Sequence, residues 1–393
     1  MIWMRRIAAV GVVVGAGALL ALGEWPVLAA IGGLLLLVSL HEAGHYLVAR
    51  RCGMEIPEVG FGFGPVLMAH TTRRGLVICW RAIPLGAYVR VPGMTRHEKV
   101  AVPEERTFRA ASTPRRIAVA AAGVTVNLVL AVLLLTGATV GRPVPVAGST
   151  VVHPGQTGVP VGATVTAVQT VQDQAGFPAA TPLSLEVSLS DSRGLPVRLV
   201  WRDGSRHGVA TAPVERGGPT GWTIPGLTVE QSVTHLGLVP GIAHAVQANV
   251  AATGQITSAT AAFATPHGVS AVASQIAGHK GGGATARPMS VIGIVNVAGQ
   301  AARHSWRDYL AMLALISLAL ALINALPAPP LDGGYIAIAI YEGIRSRLAG
   351  ERRYVGNAAI STATALVIGV LGAMSVAAMW LDIVRPIHLH LGG

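Results

Sequence analysis

Four stretches of this chain, residues 27–49, 117–140, 310–326 and 358–381, stay apolar long enough to cross a lipid bilayer or nearly so. Inside hydrocarbon every backbone N–H and C=O must find a partner within the protein, so each stretch has to be a helix packed on other helices. Composition agrees. Of 393 residues 52% are hydrophobic and 12% charged, where a soluble domain carries about 25% charged. The expected fold class is a polytopic α-helical membrane protein with about four core transmembrane helices. A fifth, shorter run at residues 7–22 follows Arg5 and Arg6. It reads as a signal peptide or as an extra N-terminal helix, and the quick return of apolar sequence after Gly-Glu-Trp-Pro favours a helical hairpin with Trp25 at its tip.

The formal net charge of +11 raises nucleic acid as a partner, but the arginines are scattered over loops with no basic-aromatic stripe, so none is expected. Residues 50–116 hold twelve Arg and Lys, the much longer 141–308 holds ten, and Arg345, Arg347, Arg352 and Arg353 crowd what reads as the last short loop. The positive-inside rule then places the N-terminus, the first loop and the last loop in the cytoplasm, with 141–308 and the C-terminus outside. Both cysteines, Cys52 and Cys79, fall on the inner side and read as free thiols. Within the outer region, residues 161–170, "LPVRLVWRDG" and "RHGVATAPV" read as strands bounded by turn signals. The sequence after about Val229 reads as amphipathic helices and linkers.

The first long apolar run ends "LLLLVSLHEAGHYLVAR", residues 34–50, and places His41, Glu42 and His45 where charge is costly. On a helix, residues four apart share a face, so the two imidazoles can meet one ion. This is the H-E-x-x-H arrangement of two zinc ligands with a glutamate as general base. Structural histidines are the bland alternative, but an insertion cost of about 2.5–3.5 kcal/mol per ionisable group makes a purely structural role uncommon.

A catalytic zinc takes three protein ligands and keeps one open position. Between His45 and Glu98 the only acids are Glu55 and Glu58, too close to the motif to be a distant third ligand. The best candidate is Asp332, the one acid in "NALPAPPLDGG", residues 324–334. There Pro327, Pro329 and Pro330 break the helix while Gly333 and Gly334 permit close backbone approach. His41 lies about 21 Å down its helix, roughly 9 Å short of the inner face of a ~30 Å core. Asp332 follows a span running the same way, so the two motifs reach the same side of the bilayer.

Together these residues resemble the site-2 protease family of intramembrane zinc metalloproteases, in particular the bacterial type with an external PDZ-like domain found in actinobacteria. "HEAGHYLVARRCGM" is similar to the family's zinc helix, and "VGFGFGPVL" with "IPLGAYVRVPGM" to its membrane-associated β-loop. "AAGVTVNLVLA" carries Gly123 and Asn127 in a G-x-x-x-N pattern, while "PMSVIGIVNVAGQA" and "NALPAPPLDGG" match the approach to the third core helix and the third-ligand motif. The resemblance implies one Zn2+ per chain held by His41, His45 and Asp332, with Glu42 as base. It also implies Asn127 and Asn324 as groups that hold substrate backbone or the oxyanion. The chain departs from the pattern at Val124, where the family often has Pro, at Ala87 in place of a second Gly, and at Ala163 in place of an Asp.

The implied organisation is an N-terminal transmembrane hairpin with the zinc helix (1–49), a cytoplasmic-side β-loop (50–116) and a second core helix (117–140). An extracytoplasmic PDZ-like α+β domain (141–230), a linker with amphipathic helices (231–308) and the last two core helices with the LDGG motif (309–393) follow. The implied activity is hydrolysis of transmembrane segments of other membrane proteins, such as anti-sigma factors, in the plasma membrane near its cytoplasmic face, with the lipid bilayer as the other partner. Read from the residues alone, a membrane metal-ion transporter and a catalytically inactive scaffold also stay open, since intramembrane His and Asp line ion pathways too.

Overall fold

The computed structural model describes residues 15, 17–94, 102–141, 143–155, 157–170, 177–178, 195–216, 222–263, 265, 270 and 289–384. The reading of residues 7–22 falls largely outside them. The chain forms two compact units, Met1–Ala138 with Ile242–Gly393, and Thr139–Gly241.

The first unit opens with α1 (Trp25–Arg51), which has proline in its first turn and Arg50 and Arg51 in its last, both favourable there. A β-ribbon of β1 (Glu58–Thr71) and β2 (Val77–Arg90) follows, then α2 (Thr113–Thr139). After the second unit come α3 (Leu238–Phe263), α4 (Val291–His304), α5 (Trp306–Asn324), α6 (Asp332–Ala349) and α7 (Asn357–Val384). Among the described residues four helices are long and apolar enough to cross a membrane: α1, α2, α5 and Ala358–Val384 within α7. The chain is a multi-pass α-helical membrane protein with β regions.

Small residues bring the spans together. Ala30 and Leu37 of α1 bury against Ala298 of α4 and Leu313 and Ile316 of α5. Ser317 of α5 donates to the backbone carbonyl of Asn127 on α2 at 2.9 Å, which fixes the height of that asparagine. Asp382 near the end of α7 accepts from both the N–H and the hydroxyl of Ser290, each at 2.8 Å, and Ser290 in turn caps α4. At the other end of the bundle Arg116 of α2 meets Glu342 of α6 at 2.7 Å, both side chains more than nine-tenths buried. The second carboxylate oxygen of Glu342 accepts from the N–H of Val355 at 2.7 Å.

The ribbon folds back on itself. Glu58–Phe61 pair with Val77–Trp80 in the same direction, while Thr71 pairs with Val77 and Glu58 with Arg90 in opposite directions. Each long strand therefore bends, at Gly62 and Gly64 (φ +83° each) in β1 and at Gly86 (φ +92°) in β2, conformations that side-chain-bearing residues rarely adopt. Glu58 accepts from Tyr88 and Arg81 across the bend, and Arg81 also donates to the carbonyl of Gly64 at 2.9 Å. Beneath the ribbon Met54, Ile56, Val91 and Phe108 form a core with Ala49 of α1 and Val119 of α2.

Where the last loop was read from its arginines, Arg345 and Arg347 instead ride the final turns of α6. Cations there complement the helix dipole, so charge density alone did not mark a loop. The break between α5 and α6 spans residues 325–331, as the prolines require.

The second unit is an antiparallel sheet. Its strands are β3 (Pro143–Pro154), β4 (Thr164–Thr170), β5 (Phe177–Pro178), β6 (Val197–Asp203) and β7 (Arg206–Ala212), then β8 (Glu215–Arg216), β9 (Trp222–Thr223) and β10 (Leu227–His235). The order is β10-β3-β4-β6-β7, with β5 paired to β4 and β8 to β9 separately. Val151, Val165, Val168, Val197 and Leu199 fill its core. While Leu238–Phe263 is helical as read, strand β10 corrects the reading of helices and linkers after Val229 as far as His235. Its alternating "LTVEQSVTH" pairs along β3, and only that partner distinguishes it from a polar linker.

Candidate active site

His41 and His45 stand one turn apart on α1, each only 7% exposed. The Nδ1 of His45 lies 2.8 Å from the carbonyl of Val119 on α2. A carbonyl only accepts, so that nitrogen carries the proton and Nε2 keeps a lone pair. The Nδ1 of His41 lies 3.2 Å from the amide Nδ2 of Asn127, whose Oδ1 is buried with no partner. Turning the amide end for end brings Oδ1 to the ring and moves Nδ2 to the position without a partner. Oδ1 then accepts from Nδ1–H, and Nε2 of His41 also keeps a lone pair.

Those two Nε2 atoms lie 3.2 Å apart. Asp332 Oδ2 lies 3.4 Å from His41 Nε2 and 3.3 Å from His45 Nε2, and it is buried with no hydrogen bond of its own. In the tautomers assigned above, three acceptor atoms face one another with no proton between them, an arrangement that calls for a shared cation. The spacing names its size. Ligands about 2.05 Å from one ion at tetrahedral angles sit about 3.3–3.4 Å apart, which is the edge of a zinc tetrahedron. The donor set, two imidazoles and a carboxylate, also suits zinc and leaves one position open.

Local sequence makes this convergence possible. Gly123 of α2 faces both rings, and a Cβ there would lie 2.6 Å from His41 Nε2 and against His45. One turn on, Asn127 is 1% exposed and holds His41, so G-x-x-x-N supplies space and orientation from one helix face. Asp332 opens α6. Gly333 and Gly334 let that helix start against the backbone of Ala325 and Ala328, where any Cβ would collide.

Glu42 lies beside the cluster and accepts from the backbone N–H of Val89 in β2 at 2.9 Å. Asn324, the last residue of α5, is half-buried, and among the described residues no hydrogen bond joins its side chain to the cluster. Sequence reasoning did not reach the Val119 carbonyl or the Val89 N–H. Both are backbone groups, present at every position, so nothing in the residue pattern marks them. Gly123 did carry a signal, its spacing from Asn127.

Comparison with known proteins agrees with this chemistry. The chain matches the family described as peptidase family M50 over residues 29–368. It is 30% identical over 402 residues to the zinc metalloprotease Rip1 of Mycobacterium tuberculosis, covering 91% of this chain and 96% of that protein. The Rip1 of Mycolicibacterium smegmatis is 26% identical over 403 residues, with the same coverage of both chains. A putative zinc metalloprotease of Agrobacterium fabrum is 27% identical over 348 residues, 81% of this chain and 86% of that one.

Proposed function

We propose, from the premise that this chain belongs to peptidase family M50 and is a zinc metalloprotease of the membrane, that it cuts transmembrane segments of other proteins near one face of the bilayer. The observation that carries this reading is the triangle of His41 Nε2, His45 Nε2 and Asp332 Oδ2, 3.2–3.4 Å on a side, with both imidazoles on α1, a helix long enough to span, and the carboxylate at the start of α6.

His41, His45 and Asp332 hold the ion. When bound, zinc supplies Lewis acidity, polarising a peptide carbonyl and bringing the pKa of water to about 7. Glu42 takes a proton from the attacking water and delivers it to the departing amine. The Val89 N–H fixes which carboxylate oxygen is free for that task. Asn127 acts by keeping His41 in the tautomer that leaves Nε2 available. Asn324, at the end of α5, is the remaining candidate for a group that holds substrate backbone.

A helical substrate hides its carbonyls in its own hydrogen bonds, so it has to unwind before it can be cut. The segment Ala87–Arg90 pairs with Glu58–Phe61 on one side and reaches Glu42 through Val89 on the other. An unwound peptide adding along this segment would run past the glutamate. The site lies near the cytoplasmic face, by the distribution of arginine and lysine. By the same distribution the sheet of Thr139–Gly241, PDZ-like by resemblance, belongs to the extracytoplasmic side, where it serves as a size filter for trimmed substrates or as a spacer. Single-pass proteins such as anti-sigma factors, already trimmed outside, are the substrate class the family resemblance favours.

The test is co-expression of wild type or Glu42→Gln with tagged single-pass membrane proteins. The variant keeps its zinc, because all three ligands remain, and accumulates uncut substrate, with a rate lower by about 10²–10⁴. Processing by the variant at the wild-type rate refutes the assignment.

A further inference from the structure

Away from the zinc cluster, a cavity of about 780 Å³ opens between the beginning of α2 and the end of α6. Its volume falls in the range of small-molecule sites, about 300–1,000 Å³. Arg109, Arg116, Arg347, Arg352 and Arg353 line it. The acids in the lining are Glu342 and Glu351. Guanidinium groups outnumber carboxylates in this lining by five to two.

Two of the arginines are engaged by those acids, Arg116 by Glu342 at 2.7 Å and Arg353 by Glu351 at 2.5 Å. Arg352 donates to the carbonyl of Ala110 at 3.3 Å, which ties the two walls together. Arg116, 7% exposed, still has a buried Nε with no hydrogen-bond partner. A buried donor on a positive wall wants an anionic acceptor.

The rest of the lining combines the polar side chains of Ser112, Thr113, Ser346 and Tyr354 with an apolar part. Ile117, Ile340 and Ile344 form one side of the cavity. Ile340 and Ile344 continue into Leu348 at four-residue spacing, one face of α6, and their exposures are 45, 57 and 84%. The cavity also sits where α2, a 27-residue candidate span, begins. That is the level at which hydrocarbon gives way to headgroups.

We propose that this cavity binds the phosphate headgroup of an anionic phospholipid, with its acyl chains lying along Ile340, Ile344 and Leu348. Guanidinium forks match phosphate oxygens in pairs, which explains why the cations are arginine rather than lysine. A soluble phosphate compound would satisfy the charge but would leave the isoleucine and leucine stripe without a partner.

The test uses the full chain purified in a neutral detergent and native mass spectrometry. Phosphatidylglycerol, phosphatidylcholine with the same chains, and inorganic phosphate are offered separately and then in competition. Wild type retains phosphatidylglycerol over phosphatidylcholine by about tenfold or more, the double variant Arg347→Gln/Arg352→Gln loses that preference, and excess inorganic phosphate does not displace the lipid. If the double variant folds poorly, Arg347→Gln alone, exposed on the last turn of α6, gives a smaller loss in the same direction. Equal retention of both lipids by wild type overturns the proposal, as does undiminished preference in the variants. Displacement by inorganic phosphate overturns the lipid assignment and leaves a site for a free phosphate.

Discussion

Replacing Gly123 with alanine tests whether the zinc cluster depends on the close approach of α2. The added methyl would lie 2.6 Å from His41 Nε2 and press on His45 as well. Ordinary carbon–nitrogen contact needs about 3.4 Å, so the His41 ring must retreat by about 0.8 Å and the His45 ring, whose Nε2 is nearer still, by about 1 Å. Zinc ligand distances tolerate only about ±0.2 Å. Disturbing the orientation of a ligand costs about 10–100-fold in metal affinity, or about 1.4–2.7 kcal/mol. The assay is titration of the metal-free protein with zinc against a chromophoric chelator, with thermal unfolding in parallel. Gly137→Ala on the same helix is the control. There the nearest atom is Leu310 Cδ1 at 3.5 Å, an ordinary contact, and the change should be neutral or stabilising by up to about 1 kcal/mol. If Gly123→Ala binds zinc as tightly as wild type, the argument that this glycine makes room for the two imidazoles is wrong.

Asn127→Ala should lower zinc affinity by about 10–100-fold and leave the KM of any residual activity unchanged. A raised KM with normal zinc affinity would mean that Asn127 touches substrate instead. Glu342→Ala strands the buried guanidinium of Arg116 and should cost about 3–5 kcal/mol in chemical unfolding, whereas Arg116→Met/Glu342→Leu should recover most of it. Equal losses in the single and double variants would contradict a burial penalty. Cys79 is buried, and burial, then the carboxylate of Glu58, pushes its thiol pKa up. A raised pKa means less thiolate at any given pH, so alkylation of Cys79 should trail that of half-buried Cys52 and keep accelerating above the ordinary thiol midpoint of about 8.5. Mass spectrometry after timed alkylation checks both the order and the pH profile.

The spans were readable because a bilayer leaves the backbone only helical solutions, and the four apolar runs carry that constraint residue by residue. His41, His45 and Asp332 were readable because helical spacing, membrane depth and a lone acid in a proline-broken loop each narrowed the choice. The bend of the ribbon was not, although its glycines were visible. A glycine permits a positive φ without requiring one, and the pairing of Glu58 with both Val77 and Arg90 is settled only by neighbouring strands. Strand β10 shares that difficulty, since its alternation means little until β3 lies beside it. The Arg116–Glu342 pair joins residues more than two hundred positions apart, and neither sits in a pattern that singles it out.

The triangle draws its corners from two rods, imidazoles from α1 and the carboxylate from α6, whose ligand atoms all lie within 4.8 Å of one another. Strip the ion away and the three lone-pair-bearing atoms repel one another across that seam. Under the proposed ligand assignment the metal is a rivet as well as a reagent. A chelator acts on the architecture of the bundle in the same stroke that silences its chemistry.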